Sequence, residues 1–564
     1  MPKNPNFILG LTYFGQHDSC AALLKDGLLI AASEEERFSR IKYDRSFPEQ
    51  AIKFCLNRAG ITINEIDRVG FFWQPWRGIA KKIIYATRGL PASLDRGTKN
   101  SRILFDMLSA RRIFRQKTGY KGRFYFIDHH MTHIASSFFS SDLEKSAILS
   151  VDGSGEQTTC WLGEADGQKF TSYSTVKWPN SLGHIYSAAT QYLGFNIFED
   201  EYKVMGLSSY GKPEYLDEFR KIIRSDGNAS FKIDLSYADY QYSKKRWYSD
   251  KWLRKFGPNR LPDEPITKVH QNIASSIQSR LEEVILELAS YTINRSGLKS
   301  LCLSGGVALN SLAIGKLSKS MIANKIYTNS VSGDSGCALG TAYYINHIIL
   351  GNRERHPLAH AYWGSEFSNT EIKDTLNKSS LNYTILENPA KEAASLVSQR
   401  KVIGWFQGRS ELGQRALGNR SILADPRNRN MKDHINSKIK NREPFRPFAP
   451  AILKEHQAEY FDWQSPVPFM TEVHTIKKDK QELIPAVVHV DGTGRLQTVD
   501  KEVNPLFWQL INEFFQLTGI PVILNTSFNL RGEPIVNSPR NAIDTFLKTD
   551  LDNLIIGKFL VKRQ

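Results

Sequence analysis

The sequence has no apolar run near the ~20 residues that a membrane-spanning helix needs, and its N-terminus lacks a basic-then-apolar secretory pattern. Low-complexity segments are also missing. Cysteine is scarce, odd in number and never arranged as CxxC; the five positions are Cys20, Cys55, Cys160, Cys302 and Cys337. These absences argue against a membrane protein, a disulfide scaffold and a zinc ribbon, and they predict a cytoplasmic protein.

The composition is that of a folded protein with several domains. The chain has 564 residues, of which 41% are hydrophobic, 23% charged and 11% aromatic. Disordered, collagen-like and coiled-coil chains have other compositions. At roughly 150 residues per domain the length predicts three or four structural units.

The basic excess lies in two segments. Lys and Arg number 74 against 58 Asp and Glu, a net charge of +16. Segment 77–123 has 13 basic and two acidic residues, and segment 409–446 has ten basic and four acidic residues. Together they account for the whole excess. The first segment contains an amphipathic helical pattern and is interpreted as a solvated basic face.

An internal repeat at an offset of 140 residues predicts a two-lobed α/β architecture. Phe7–Ser33 reads as strands joined by an Asp26-Gly27 turn, and Ala147–Ser174 repeats that plan with Asp166-Gly167. Asp-Gly between alternating apolar runs is a hairpin signal. The alternative is two unrelated hairpins. A break at 351–357 predicts the boundary to a C-terminal domain.

Histidines and acids at strand and helix ends predict a metal site. His129 and His133 are four residues apart, so they share one face if this segment is helical. Asp152 follows a predicted strand, and Asp334 lies in a Gly-rich loop after another. Two imidazoles with carboxylates and open positions suit Fe(II) or another first-row ion. A pair of ordinary histidines is the alternative.

Two glycine-containing loops are candidates for phosphate binding. The pattern of Ser304–Asn310 predicts the end of a strand, a pair of glycines and the start of a helix. Such a turn can bind a nucleotide phosphate, and it is equally common where two elements pack closely. Gly408–Ser421 spaces arginines among glycines, and further cations follow between prolines up to Pro450. Guanidinium groups held in this way favour bidentate phosphate recognition over a merely solvated surface.

Taken together these segments resemble one enzyme family over nearly the whole chain. The ordered matches are Gly15–Ser19 with Ala21–Leu23, Glu34–Lys42, His129–His133, Asp152-Gly153, Tyr202–Leu207, Ser304–Asn310, Gly333-Asp334, Arg415–Arg420 and Phe445–Pro450. They resemble the O-carbamoyltransferase family that includes nebramycin (tobramycin) synthetase and the nodulation and cephem carbamoyltransferases. One departure is Ser208-Ser209, where the family commonly has Ala-Pro. Loss of the proline loosens a turn, so the departure affects the shape of the acceptor loop more than the chemistry.

The resemblance implies an α/β protein of two domains. Residues 1–355 would form a duplicated actin/Hsp70-kinase-like domain, similar to the threonylcarbamoyladenosine transferase, that carries the metal and performs carbamoyl transfer. Residues 356–564 would form a YrdC-like α/β domain that makes carbamoyladenylate. The implied reaction consumes carbamoyl phosphate and ATP, with Mg²⁺ accompanying ATP, and carbamoylates a hydroxyl of a small-molecule natural product such as an antibiotic, toxin or oligosaccharide.

The resemblance also implies roles for individual residues. Fe(II) or another divalent metal would be held by His129, His133, Asp152 and Asp334. His17 would be the base on the acceptor hydroxyl, Lys42 would contact the adenylate, and Arg415 would act on the phosphates. The remaining implied binding residues are Gly305, Gly306 and Asn310 for the nucleotide, and Lys440, Arg446, Arg495, Asn525 and Ser527 for carbamoyl phosphate and ATP.

Two other functions stay open at this point. One is a tRNA-modifying enzyme of the threonylcarbamoyladenosine type, with segment 77–123 contacting RNA; the lack of a nucleic-acid-binding motif speaks against it. The other is a non-catalytic nucleotide- and metal-binding protein, against which the paired carboxylates and His17 speak. The expected partner is therefore a hydroxylated small molecule rather than a membrane or nucleic acid, and a homodimer is an open alternative for the assembly.

Overall fold

The chain divides into two compact units. The computed structural model describes residues 5–15, 18–79, 84, 102–243 and 245–563. The first unit comprises Met1–Glu35 and Tyr43–Pro357, and the second comprises Glu36–Lys42 and Leu358–Gln564. A short helix, α1 (Glu36–Ser39), therefore belongs to the second unit although it follows strands of the first.

The described strands of the first unit form two five-stranded sheets and a small ribbon. They are β1 (Phe7–Thr12), β2 (Cys20–Lys25), β3 (Leu28–Glu34), β4 (Arg68–Phe71), β5 (Arg123–Phe126), β6 (Lys145–Val151), β7 (Thr158–Asp166), β8 (Lys169–Lys177), β9 (Ile223–Ser225), β10 (Phe231–Ile233), β11 (Ser300–Ser304) and β12 (Lys325–Tyr327).

The two five-stranded sheets have the same topology. The first has the order β3-β2-β1-β4-β5, and the second has the order β8-β7-β6-β11-β12. In each sheet the three strands of the meander pair antiparallel, and the last two strands add parallel to its first strand. This repetition confirms the predicted duplication and the actin/Hsp70-kinase-like architecture of the first unit.

The repeated Asp-Gly turns close equivalent hairpins. Asp26 and Gly27 both have positive φ angles, 52° and 87°, which is the backbone of a tight hairpin turn and is the reason for a glycine there. Asp166-Gly167 joins β7 to β8 in the same position of the second sheet. Cys20 and Cys160 lie at or near the start of the middle strand of each meander, as the sequence offset predicts.

Helices cover the sheets of the first unit. They are α2 (Glu49–Ala59), α3 (Ala110–Thr118), α4 (His129–Ser140), α5 (Leu182–Tyr192), α6 (Glu201–Ser208), α7 (Leu216–Ile222), α8 (Asp250–Phe256), α9 (Lys268–Ser296), α10 (Ser311–Lys319) and α11 (Ser335–Tyr343). Short 3₁₀ helices occur at Ile63–Glu65, Leu235–Tyr237 and Gly306–Leu309, and a π-helix occurs at Tyr344–Ile349. The predicted long helix is confirmed as α9.

Glycines bring α4 and α11 into close contact. A Cβ at Gly340 of α11 would meet the carbonyl oxygen of Thr132 of α4 at 1.8 Å. On the other side of α11, a Cβ at Gly10 of β1 would meet the carbonyl oxygen of Ala338 at 2.0 Å. Only a hydrogen atom fits at these two positions. The backbone of α11 therefore packs directly against the backbones of α4 and β1. This packing fixes both helices that carry candidate site residues.

The second unit is a mixed α/β domain. Its further strands are β13 (Thr384–Ile385), β14 (Ile403–Phe406), β15 (Arg420–Ala424), β16 (Ala449–Leu453), β17 (Val473–Thr475), β18 (Thr493–Arg495), β19 (Gln497–Val499), β20 (Val522–Ser527), β21 (Asn553–Ile556) and β22 (Phe559–Lys562). Its further helices are α12 (Asn369–Lys378), α13 (Pro389–Ser398), α14 (Met431–His434), α15 (Gln457–Tyr460), α16 (Lys478–Gln481), α17 (Pro505–Thr518) and α18 (Pro539–Leu547). A π-helix at Ile435–Ile439 and 3₁₀ helices at Lys454–His456 and Pro485–Val487 complete it.

One eight-stranded sheet organises this unit. Its order is β13-β22-β21-β14-β15-β20-β16-β19, and β17 pairs with β18 in a separate ribbon. The apolar core centres on β14 and its neighbours, where Trp405 is fully buried. The α/β class predicted for the C-terminal part is confirmed. Among the helices described in either unit, none combines the length and apolar character required to cross a membrane.

Candidate functional site: a candidate metal site and a cation cluster

Helix α4 places two histidines side by side. Asp128 caps the helix by accepting a hydrogen bond from the backbone N–H of Met131, and Arg77 pairs with the same carboxylate at 2.5 Å. His129 and His133 are four residues apart on this helix and are both fully buried. Their Nε2 atoms lie 3.1 Å apart. The spacing in the sequence thus brings both imidazoles to one point.

Two carboxylates from separate loops complete the group. Asp152 follows β6, and its Oδ2 lies 3.4 Å from the Nε2 of His129. Asp334 precedes α11, and its Oδ1 lies 3.6 Å from the Nε2 atoms of both His129 and His133. We call these four residues the candidate metal site. The structure brings together the four residues that the sequence analysis names as candidate ligands.

The donor set fits a divalent first-row ion. Donors that bind one ion at about 2.0–2.1 Å are about 3.0–3.4 Å from one another, close to the separations given above. Two imidazoles with carboxylates are the ligands that non-haem Fe(II) prefers, and such sites keep positions open for a substrate. The residues present therefore fit the metal that the family resemblance implies.

Electrostatics also favour a cation here. Burial opposes ionisation of Asp152, but the hydrogen bond from His129 and the charge of His133 hold its pKa well below the ordinary value. Burial disfavours a charged His133, yet Cys337 and Asp334 outweigh burial and raise its pKa to about 9. The four residues of the candidate metal site therefore favour a bound cation. In the metal-free protein, protons on the histidines take that place.

Two neighbouring residues, His130 and Glu156, stabilise the candidate metal site without pointing into it. His130 is held by Ser150 Oγ at Nδ1 and by the carbonyl of Thr158 at Nε2, both at 3.0 Å. Glu156 accepts hydrogen bonds from the backbone N–H groups of His129 and Gln74, and burial raises its pKa to about 7. Sequence reasoning missed Glu156, because nothing in its local pattern marks it as the anchor of the α4 N-terminus.

The Gly305-Gly306 turn supports the metal site. A Cβ at Gly305, whose φ is 89°, would meet the carbonyl oxygen of Val151 at 2.2 Å. The backbone N–H of Gly306 donates to Asp152 Oδ1 at 2.7 Å. Asn310 caps α10 and exchanges hydrogen bonds with Gln278. The turn that was predicted to hold a nucleotide thus orients a carboxylate, which makes packing part of its role.

Cys337 is a further member of this cluster that sequence reasoning missed. Donor atoms of His129, His133, Asp334 and Cys337 all lie within 4.8 Å of one another. Cys337 follows Asp334 by three residues at the start of α11, so one turn of helix brings the two together. That Asp-x-x-Cys spacing is the signal available in the sequence, and it is neither a CxxC motif nor a disulfide pattern.

In the second unit, Glu411 organises the arginine loop. Its Oε1 accepts backbone hydrogen bonds from Leu417, Asn419 and Arg420 at 2.8, 2.8 and 3.2 Å. Arg420 is fully buried, and its guanidinium donates to backbone carbonyls that include those of Ser365 and Gly408. Arg420 therefore has a structural role, and the loop geometry depends on one buried carboxylate.

Replacing Glu411 with alanine should destabilise the second unit. Three buried N–H groups would lose their acceptor, at ~1–3 kcal/mol each, so we expect a loss of at least about 3 kcal/mol. For a domain of this size the corresponding fall in Tm is about 6–12 °C, measured by calorimetry. Glu482→Ala is the control, because Glu482 is exposed and pairs with an exposed Arg429. Equal transitions in the two variants would contradict the role assigned to Glu411.

Beyond this loop lies a cluster of cations, which we define as Arg415, Arg442, Arg446, Arg495 and Lys440. Burial and then the charges of Arg415, Arg442 and Arg446 hold the pKa of Arg495 well below its ordinary value. Burial and then Arg442, Arg446 and Lys42 do the same for Lys440. The shared arginines show that these side chains form one group. Such repulsion is offset when a multiply charged anion binds.

Polar groups beside the cation cluster are arranged on β20. Lys440 donates to the backbone carbonyls of Ser527 and Asn529 and to Asn529 Oδ1. Asn525 donates to the carbonyl of Ala416 and to Gln497 Oε1. The Nε of Arg495 and the Oδ1 of Asn525 are sealed from solvent and have no hydrogen-bond partner in the part of the chain that the structure describes.

The remaining predictions fall partly outside the described residues. His17, the predicted base, lies outside them, as does most of the central part of segment 77–123. Lys42 lies in the second unit, where its charge acts on Lys440. The predicted site residues thus form a group in the first unit (His129, His133, Asp152, Asp334, Gly305, Gly306 and Asn310) and a group in the second (Lys42, Arg415, Lys440, Arg446, Arg495, Asn525 and Ser527).

Comparison with known proteins gives full-length relatives. The chain is 37% identical to the uncharacterized protein sll1178 of Synechocystis sp., covering 99% of this chain and 96% of that one. It is 37% identical to the nodulation protein NolNO of Sinorhizobium fredii, covering 97% and 79%. Among solved structures, the Acidaminococcus fermentans (R)-2-hydroxyglutaryl-CoA dehydratase component A is 14% identical with a TM-score of 0.32, covering 60% of this chain and 97% of that one.

Family models cover both units of the chain. The model described as Carbamoyltransferase N-terminus matches residues 7–343, which contain the whole candidate metal site. The model described as Carbamoyltransferase C-terminus matches residues 394–563, which contain the cation cluster. The chain therefore belongs to the carbamoyltransferase family.

Proposed function

We propose that the chain is an ATP-dependent O-carbamoyltransferase with two reaction centres. The second unit would make carbamoyladenylate from carbamoyl phosphate and ATP. The first unit would transfer the carbamoyl group from carbamoyladenylate to a hydroxyl of a small-molecule natural product, with loss of the hydroxyl proton and release of AMP. Atom balance requires one water: carbamoyl phosphate gives carbamate and phosphate, and carbamate then displaces pyrophosphate from the α-phosphorus of ATP.

The observation that carries this proposal is the cation cluster. The charges that act on Arg495 and Lys440 include those of other cations; Lys440 is buried, and Arg495 is partly buried with its Nε sealed from solvent. Glu443 pairs with Arg446 at 3.6 Å, but one carboxylate does not balance five cations, so a bound anion would offset the remaining repulsion. Carbamoyl phosphate and ATP are both multiply charged anions, and guanidinium groups bind phosphate oxygens in pairs.

The unpartnered atoms beside the cluster support a carbamoyl ligand. The Nε–H of Arg495 is a donor suited to a phosphate or carboxylate oxygen, and Asn525 Oδ1 is an acceptor. A carbamoyl group carries both kinds of partner, because its NH₂ donates and its carbonyl oxygen accepts. A protonated inorganic phosphate also offers an oxygen acceptor and a P–OH donor. The two atoms are therefore compatible with carbamoyl phosphate, and the dependence of pyrophosphate release on it is the test.

In the first unit, the candidate metal site supports the transfer step. A divalent ion held by His129, His133, Asp152 and Asp334 would supply Lewis-acid stabilisation of negative charge on the carbamoyl group or its phosphate. The N–H groups of Gly306 and Ser154 orient the Asp152 carboxylate. His17 is proposed, from the family resemblance, to take the proton of the acceptor hydroxyl.

An assay of pyrophosphate release tests the first half of the proposal. Purified protein with ATP and Mg²⁺ should release pyrophosphate only when carbamoyl phosphate is present. Threonine with bicarbonate replaces carbamoyl phosphate in the matched arm, because a threonylcarbamoyladenosine-type enzyme would use that pair. Release in that arm alone would contradict the proposal and favour tRNA modification. No release in either arm would favour a protein without this chemistry.

A further inference from the structure

The Nδ1 atoms of the two metal-site histidines are contacted by sulphur. Each imidazole turns its Nε2 toward the candidate metal position and its Nδ1 away from it. The Sγ of Cys337 lies 3.4 Å from the Nδ1 of His133 and 4.0 Å from the Nδ1 of His129. One buried thiol therefore contacts the outer nitrogen of both rings.

A histidine that binds a metal through one nitrogen carries its proton on the other. That N–H needs an acceptor when the ring is buried, and the usual acceptors are carboxylates, backbone carbonyls or water. His129 and His133 are both sealed from solvent, and His130 shows the ordinary arrangement, with a hydroxyl and a carbonyl at its two nitrogens. In His129 and His133, which face the carboxylates, the atom that contacts Nδ1 is the sulphur of Cys337.

We propose that Cys337 is a positioning residue of the metal site: its sulphur accepts the Nδ1–H groups of His133 and His129 and thereby directs both Nε2 lone pairs toward one ion. The inference rests on the metal-dependent part of the proposed function. It assigns Cys337 no contact with substrate or metal. The close packing of α11 on α4 at Gly340 holds the sulphur at this place.

The geometry favours this role over direct ligation. Asp152 and Asp334 approach the Nε2 atoms, whereas Cys337 approaches the Nδ1 atoms of the same rings. Because one ion binds one nitrogen of each ring, an ion at the two Nε2 atoms leaves the sulphur in contact with the opposite nitrogens. The Sγ also lies within 4.8 Å of an Asp334 carboxylate oxygen, so direct ligation is the alternative that the experiment tests. Cobalt(II) distinguishes the two roles, because sulphur bound to it gives an intense near-ultraviolet charge-transfer band.

The experiment compares cobalt(II) binding to the full chain and its variants. Cys337→Val removes the acceptor with an apolar side chain slightly larger than cysteine, and Cys337→Ser restores an acceptor. Cys302→Ala is the control, because Cys302 is also buried in the first unit and contacts Ser141 instead. Affinity is measured by competition with a chelator, and folding of the metal-free proteins is checked by circular dichroism.

We expect Cys337→Val to weaken cobalt(II) binding by about 10–100-fold, which is the usual effect of losing such a partner. Cys337→Ser should recover part of that loss, Cys302→Ala should bind as the parent does, and the parent spectrum should lack the sulphur charge-transfer band. If Cys337→Val fails to fold, Cys337→Ala replaces it with the same expected direction.

Two results would overturn the inference. One is unchanged affinity in a folded Cys337→Val or Cys337→Ala protein, and the other is a sulphur-to-cobalt band in the parent that Cys337→Val abolishes. Absence of cobalt(II) and Fe(II) binding by the parent protein would instead contradict the proposed metal-dependent function, and the inference with it. That failure is recognised without any substitution, so the two outcomes are distinguishable.

Discussion

Replacing Arg415 with alanine is expected to abolish carbamoyl-phosphate-dependent pyrophosphate release, with a loss of about 10³-fold. A guanidinium that stabilises charge during phosphoryl or nucleotidyl transfer contributes on this scale. Arg415 is a half-buried member of the cation cluster, and its charge acts on Arg495. Transfer from supplied carbamoyladenylate should be largely retained, because the substitution lies in the second unit.

The same substitution should not destabilise the protein. Removing one of several cations relieves repulsion on Arg495, so the substrate-free protein should stay folded, as circular dichroism checks. Arg429→Ala is the matched control, because Arg429 is exposed and pairs with Glu482. Loss of pyrophosphate release in Arg429→Ala as well, or normal release in a folded Arg415→Ala, would contradict a substrate role for Arg415.

His17→Asn is the complementary variant. If His17 removes the proton of the acceptor hydroxyl, this variant should release pyrophosphate normally while product formation falls by the ~10²–10⁴-fold that a general base contributes. Loss of both half-reactions in both Arg415→Ala and His17→Asn, with the proteins folded, would replace the two-centre assignment with a single shared site.

Loss of Asp334 is expected to remove the metal and with it carbamoyl transfer. Its Oδ1 lies 3.6 Å from both imidazole Nε2 atoms, so no other single carboxylate oxygen that the structure describes serves both rings in this way. Asp334→Ala should reduce metal from about one ion per chain to less than about a tenth. A metal ion supplies several kcal/mol of charge stabilisation, so transfer should fall by about 10³-fold.

Elemental analysis of anaerobically purified protein measures the metal, and an assay with supplied carbamoyladenylate measures transfer. Pyrophosphate release should persist in Asp334→Ala, because the cation cluster is unchanged. Asp142→Ala is the control, since Asp142 is exposed and pairs with Lys325 in the same unit. Full metal content and full transfer activity in Asp334→Ala would refute the assignment of this residue.

Much of the first unit could be predicted because its signals are local. Asp-Gly between alternating apolar runs predicts a hairpin, and the same pattern 140 residues later predicts the duplication that the two sheets confirm. The four-residue spacing of His129 and His133 predicts one helical face, which α4 provides. Each inference depends on residues close together in the sequence, where periodicity is directly visible.

Long-range contacts decided the rest of the candidate metal site. Asp152 and Gly306 are 154 positions apart, yet a hydrogen bond from the Gly306 N–H orients the carboxylate. Cys337 reaches His133 from more than 200 positions away because Gly340 permits α11 to touch α4. No local pattern encodes which helix a cysteine will face, since that depends on how separate elements pack.

In the second unit the sequence determined which residue types are present, and the tertiary structure decided their roles. The sequence shows arginines among glycines, but it does not show that they differ in role. In the structure the guanidinium of Arg420 donates to backbone carbonyls, whereas Arg415 lies in the cation cluster. Likewise Lys42 follows strands of the first unit but acts on Lys440 in the second. The physical reason is that charge and hydrogen-bonding capacity belong to a side chain, whereas burial and neighbours belong to the fold.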